Sequence, residues 1–330
     1  MTYSAGGLIQ ATDYNTFAGN TTAGLNRVWS TGAGDAGWGQ TDISTVSTSG
    51  QVTATQWATI VNNLATSGTQ TGTTLTSRTA PVTGNIIGIL ANVSTDITSV
   101  TTARGNAIAS GTEYGTFTGS VSKTTGTGSG QAAWTITFTH TITFPSANQA
   151  RYFWNAGGIV RLKYGKSSTG TDADADWNTL AGQCGTINLT GRVGNATQSI
   201  AAQAYTGTTR LSGTGGTQTT LATTTGWYNL TATPATIFQL NDAVSPYSTN
   251  FIRSNATATS NTVLTLTTVW SDDGTAVVGA NANITGGTAT SSGSTTITGD
   301  APTVLVTYVP PSSATLSNSW GTPTIAASVA

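Results

Sequence analysis

The clearest pattern in the chain is an alternation. From Trp134 to Phe144 the sequence reads Trp-Thr-Ile-Thr-Phe-Thr-His-Thr-Ile-Thr-Phe, with large residues on one parity and Thr on the other. Successive side chains of a strand point to opposite faces, so this segment predicts a half-buried β-strand. Pro145 ends it, because proline has no N–H to give to a ladder. Ile159–Tyr164 predicts a second strand. Further strands are expected at Gly226–Thr231, Thr236–Gln239, Phe251–Ala256, Val263–Trp270, Ala276–Ile284 and Thr303–Val309. Ser271-Asp272-Asp273-Gly274 is a turn signal between two of them. Antiparallel strands separated by turn signals, with Thr faces toward solvent, predict a β-sandwich-like domain or domains over residues 111–330; a partly open barrel has the same signature.

The N-terminal region follows a different period. Trp57, Ile60, Val61 and Leu64 keep the i, i+3, i+4, i+7 spacing of one helical face. Ile9–Phe17 echoes that segment: Tyr14, Phe17 and Ala18 begin the same face before Gly19 and Gly24 weaken it. Each segment places a Thr just before an aromatic, where it can cap a helix N-terminus. Packed on each other, the two helices form an aromatic core; presented to a partner, they form a duplicated docking element. Residues 66–83 are mostly Thr, Ser and Gly and read as a linker or extended arm. Within 85–109, Ile86, Ile87, Leu90, Val93 and Ile97 are spaced for a helix, with Ile89 off that face. Arg151–Gly158 predicts a short helix stopped by glycine. The expected organisation is a helical docking region at 1–65, a linker plus candidate helix at 66–110, and the β-rich part at 111–330. The fold class is mainly β with a small helical N-terminal region.

Composition sharpens this picture. Only 7% of the 330 residues are charged, against about 25% in an average soluble protein. Eleven basic and 12 acidic residues give a formal charge of −1, which supplies neither the Lys/Arg cluster that nucleic acid requires nor a polybasic membrane anchor. Thr dominates and there are 40 Gly, an excess that belongs with β-structure. Nine Trp, nine Tyr and seven Phe can anchor cores, which argues against overall disorder. A near-neutral surface favours association, so the chain is easier to understand within an assembly than as a free enzyme. The N-terminus shows no signal-peptide pattern, and the apolar stretch Ile86–Val93 is broken by Gly88 and Asn92. Membrane insertion is not expected, and synthesis and assembly in a cytoplasm are.

Few residues of the chain carry recognisable chemistry. Gly32-Ala33-Gly34-Asp35-Ala36-Gly37 has G-x-G-x-x-G spacing, but a dinucleotide site needs a buried strand before it and a helix after it. Arg27-Val28-Trp29-Ser30 and Trp38-Gly39 supply neither, so a glycine loop is expected. One Cys, Cys184, forbids an internal disulfide and a Cys-based zinc cluster. One His, His140, would have to serve any Ser-His-Asp triad, yet its place between Phe138 and Ile142 predicts a packed, hydrogen-bonded core residue. Glycoside cleavage needs two carboxylates about 5–10 Å apart, and nothing pairs Glu113, Asp172-Asp174-Asp176 or Asp272-Asp273 in sequence. Asp172–Asp176 opens like a calcium loop, but Trp177 and Gln183 stand where an EF-hand needs Gly and Glu. An acidic loop capping a helix near Trp177 is expected, with an irregular Ca²⁺ site as the other reading. Trp227, Tyr228 and Trp38 are the aromatics to watch for sugar stacking. No catalytic residue, cofactor or metal is assigned.

His140-Thr141-Ile142-Thr143-Phe144 followed by Arg151-Tyr152-Phe153-Trp154-Asn155-Ala156-Gly157-Gly158 resembles a segment of virion structural, tail-fibre-like proteins of tailed bacteriophages. Asp176–Leu180, Gly226–Leu230, Phe251-Ile252-Arg253, Ala5–Asn15 and Val52–Trp57 look similar too. The resemblance spans roughly 1–65 and 134–270. It implies a non-enzymatic virion component assembled in the host cytoplasm, tail-associated or fibre-like, with itself (a trimer is favoured) and other virion proteins as partners. A host-surface glycan is a further partner it leaves open. Tyr14, Phe17, Trp29, Trp38 and Trp57 are then the candidate docking residues. A capsid decoration or head-fibre protein is the first alternative, and a glycan-binding adhesin the second. The Gly/Thr-rich inserts at 121–131 and 285–299 depart from the family pattern.

Overall fold

Alternation along two long strands builds the centre of the molecule. The computed structural model describes residues 10–85, 92–113, 121–122, 125–127, 133–167, 172–192, 198–200, 203–245, 247–272, 294–296 and 301–330. The helices are α1 (Ala11–Ala18), α2 (Asn26–Trp29), α3 (Ala54–Thr71), α4 (Val93–Ala103), α5 (Ala147–Asn155) and α6 (Asp172–Cys184). The strands are β1 (Val121–Ser122), β2 (Thr125–Thr127), β3 (Trp134–Thr143), β4 (Ile159–Gly165), β5 (Thr186–Leu189), β6 (Gln198–Ile200), β7 (Gln203–Tyr205), β8 (Thr208–Leu211), β9 (Thr217–Leu221), β10 (Ala235–Asn241), β11 (Phe251–Ser260), β12 (Val263–Asp272), β13 (Ser294–Thr296), β14 (Thr303–Val309) and β15 (Thr324–Val329).

They form two antiparallel sheets and a small β6–β7 hairpin. The larger sheet runs β13-β2-β3-β12-β11-β10-β9, with β15 also paired to β3; the smaller runs β1-β14-β4-β5-β8. In β3, Trp134, Ile136, Phe138, His140 and Ile142 are buried while the intervening Thr135, Thr137, Thr139 and Thr141 are half-buried. Register keeps both inward sets together: Leu264 faces Ile142, Leu266 faces His140 and Trp270 faces Ile136.

The sheets meet through named side chains, as in a sandwich. The Tyr164 ring of β4 stacks on Phe238 of β10 at 6.1 Å. Its hydroxyl shares a 2.7 Å hydrogen bond with Ser254 of β11. Ser254 in turn shares a 2.9 Å bond with Thr268 of β12. Inward hydroxyls thus satisfy one another rather than being stranded in an apolar interior. Helix α6 closes one end, where Trp177 lies between Trp270 (5.6 Å, stacked) and Trp134 (4.9 Å, tilted).

The fold class is as expected: mainly β, antiparallel, with helices at the N-terminal side. Several local expectations change. Gly226–Thr231 is not a strand: Trp227–Asn229 is a 3₁₀ turn, in which the Asn229 N–H bonds the Gly226 carbonyl while Trp227 N–H reaches Thr190. Asp172–Asp176 is not a loop; these residues open α6. Thr53, not Thr55, caps α3, in a reciprocal box with Gln56, and α1 starts after Gln10 with no side-chain cap. Helix α3 continues to Thr71, into the expected linker. The segment after it is an arm lying on its own chain: Arg78 pairs with Asp96 of α4 at 2.5 Å, and the Thr76 N–H donates to the same carboxylate. Of the helix expected within 85–109, α4 is present; Ile86, Ile87, Ile89 and Leu90 lie outside the described residues, as do Ala5–Ile9 and Ala276–Ile284. Residues of all three expected segments share one hydrophobic core, from Tyr14 and Trp57 through Val100 and Phe153 to Trp270 and Val306.

Candidate functional site

The expected docking aromatics sort into two groups. Tyr14, Phe17, Trp38 and Trp57 are between 1% and 2% exposed, packed inside the chain. Trp57 of α3 lies 6.4 Å from Tyr14 and 5.8 Å from Phe17 of α1, both tilted. This is the aromatic-on-aromatic packing of two helices; the rings are not displayed. Trp29 alone of the five is partly exposed, its indole N–H donating to the Thr41 carbonyl at 3.0 Å.

Trp38 leads to a polar hub. Its indole N–H donates to the Asn155 carbonyl at 3.1 Å. Asn155, the last residue of α5, is 2% exposed. Its amide donates to the carbonyls of Ala36 (2.8 Å) and Gly37 (3.1 Å), and its side-chain oxygen accepts from the Tyr228 hydroxyl at 2.5 Å. Arg151, one turn earlier, donates to the Thr31 carbonyl at 2.6 Å. The glycine loop is therefore a docking strip for α5, lacking the strand and helix that a nucleotide site needs. Two glycines are required here. Gly157 has φ +99°, and a Cβ there would strike the Ala107 carbonyl; Gly39 has φ +69°, and its Cβ would enter the Tyr152 ring. The string Tyr152–Gly158 thus joins the N-terminal region to the sandwich.

No family model, curated protein or solved structure matches the chain.

His140, Cys184 and Glu113 hold structural positions. His140 is fully buried; burial holds its pKa down at about 4, partly opposed by a hydrogen bond with the Val304 backbone. It is neutral near pH 7. Cys184 is buried, and burial pushes its thiol up, which leaves it a poor nucleophile. Burial raises the carboxyl of Glu113, but hydrogen bonds from Lys163 and Thr307 and the charges of Lys163 and Arg161 outweigh it, so the net shift is downward. Glu113 sits 2.8 Å from Lys163 and 3.4 Å from Arg161, and Asp35 pairs with Arg104 at 3.0 Å. Among the described residues no three His, Cys, Asp or Glu side chains gather as metal ligands, and no helix is long and apolar enough to cross a membrane.

One surface feature combines ligand-type groups. A cleft of about 670 Å³ opens between the first half of α5, the Trp227–Asn229 turn and the tip of the β11–β12 hairpin. Trp227 and Tyr228 line it together with Asn148, Arg151, Ser260 and Asn261. Trp227 is 8% exposed and stacks on Trp154 (5.7 Å, 19°). Trp227 and Tyr228 stand out in the sequence, but Arg151 lies 76 residues before Trp227 and Ser260 lies 32 residues after Tyr228, so the cleft is assembled only by folding.

Proposed function

We propose that the chain is a non-enzymatic structural component of a tailed-phage virion, in a tail-associated or fibre position, acting as a homo-oligomer. The observation that carries this reading is the place of the Tyr152–Gly158 string. The segment that resembles virion proteins is a mechanical joint: Asn155 bonds the glycine loop and Tyr228, and Gly157 lets the chain pass Ala107. Such a motif maintains an architecture rather than performing a reaction.

Two further features support it. The ionisable groups Asp35, Asp96 and Glu113 are engaged in pairs that hold segments together. A formal charge of −1 on 330 residues suits neutral contacts between identical copies. With Tyr14 and Trp57 inside the fold, attachment to the particle uses other side chains of the N-terminal region, Trp29 among them.

The test is the position and copy number of the chain in purified particles, by cryo-EM with quantitative mass spectrometry. A small copy number in a symmetric ring at the tail is expected. A large copy number spread over the shell would move the protein to the capsid surface. Absence from particles would overturn the virion reading altogether.

A further inference from the structure

We infer that the cleft between α5 and the β11–β12 hairpin binds an acidic sugar residue, a hexuronate or similar carboxylated saccharide unit. The proposal stands on the cleft alone and does not rest on the virion reading.

The floor and the rim carry complementary chemistry. The floor carries the half-buried Tyr228 ring, with Trp227, stacked on Trp154, beside it, and the C–H face of a pyranose packs on such an aromatic ring. Both are held rigidly: Trp227 by stacking on Trp154, Tyr228 by its hydroxyl bond to buried Asn155. A platform ordered before binding loses little entropy when the ligand arrives. Asn148, Ser260 and Asn261 are exposed at the rim. Amide and hydroxyl groups there can donate to and accept from sugar hydroxyls.

Arg151 selects for charge. One guanidinium nitrogen is fixed on the Thr31 carbonyl, and the group lies over the Tyr152 ring at 5.5 Å. Among the described residues it has no carboxylate partner. A cation with donors to spare beside an aromatic floor is matched by a carboxylate on a ring. Among the described residues lining the cleft there is no Asp or Glu. The carboxylate pair that glycoside cleavage needs is not among these residues, and the cleft is assigned binding.

The experiment is titration calorimetry of the full chain with digalacturonate, with lactose as the neutral sugar and acetate as the bare carboxylate. Saturable binding of digalacturonate is expected, at least about tenfold tighter than lactose or acetate, since charge-assisted bonds supply that discrimination. Arg151→Gln is expected to remove the preference for the acid. Because Arg151 also braces Thr31, Asn261→Trp at the exposed hairpin tip is the second variant: it fills the cleft without touching the core and is expected to abolish binding. No binding of digalacturonate overturns the proposal. Equal affinity for lactose, or binding that survives Asn261→Trp, overturns it as well.

Discussion

The sandwich and the N-terminal region are held together by different means. Between β3 and β12 the adhesive is apolar: Ile136, Phe138, Ile142, Leu264, Leu266 and Trp270 are fully buried, and the Thr rows face away. In the N-terminal region, amide side chains take the place of a ladder. Asn15 donates to the Val46 carbonyl and accepts from the Val46 N–H, both at 2.8 Å. Asn26 does the same with Ile43, both at 2.9 Å. Gln40 does it with Ser317, again both at 2.9 Å. Each amide imitates one rung of a β-ladder where no strand is available. Gln70 extends the pattern, donating to the carbonyls of Ile108 and Ala156 and accepting from Thr315. Loops whose backbone groups are buried must satisfy them somehow, and here short polar side chains do so. The lesson is that the buried loop backbone of this region depends on a few amides, whereas the backbone of the sandwich is satisfied by its ladders.

The most damaging single change on this view is Asn155→Leu. It keeps the branched shape and the number of side-chain heavy atoms but strands the carbonyls of Ala36 and Gly37 and the Tyr228 hydroxyl. A loss of about 4 kcal/mol is expected, since each buried unsatisfied group costs about 1–3 kcal/mol. Urea unfolding monitored by tryptophan fluorescence measures it, and a loss below about 1 kcal/mol would break the distinction between the regions.

His140 tests the sandwich side. Its folded pKa of about 4 lies below the ordinary 6.5. Between those values the unfolded chain binds the extra proton, so its contribution is full above about pH 6.5 and falls as the pH drops toward 4. The shift corresponds to about 3 kcal/mol. The difference in pH dependence between the wild type and His140→Leu isolates it from the carboxylates that titrate nearby. Parallel curves for the two proteins would contradict the assignment.

The smallest expected effect is Asn26→Leu, at about 2 kcal/mol. Hydrogen exchange is expected to rise around Ile43 and α2 while β3 and β12 stay protected. Uniform loss of protection across both regions would show that they unfold as one unit and that the two kinds of adhesive are not separable.

How much of this was legible beforehand follows the range of each interaction. The period of two in Trp134–Phe144 and the period of 3.6 in Trp57–Leu64 are local, and both elements are where those patterns place them. Trp227-Tyr228 misled because two adjacent aromatics resemble a strand, whereas the Gly226 carbonyl accepts from Asn229 to close a turn. The aromatics Tyr14, Phe17, Trp38 and Trp57 carry no mark that distinguishes a buried ring from a docking ring. The cleft was half visible: Trp227 and Tyr228 stood out, but Arg151 and Asn261 join them only through the packing of α5 and the hairpin.

The sequence by itself determined the fold class, the inward face of the main strands, the burial of His140 and the scarcity of catalytic groups, because hydrophobic period and composition act residue by residue. Tertiary structure alone decided which amide meets which backbone. Gln40 and Ser317 are 277 positions apart, and a side chain equally able to face water or a carbonyl chooses only when folding brings the carbonyl to it.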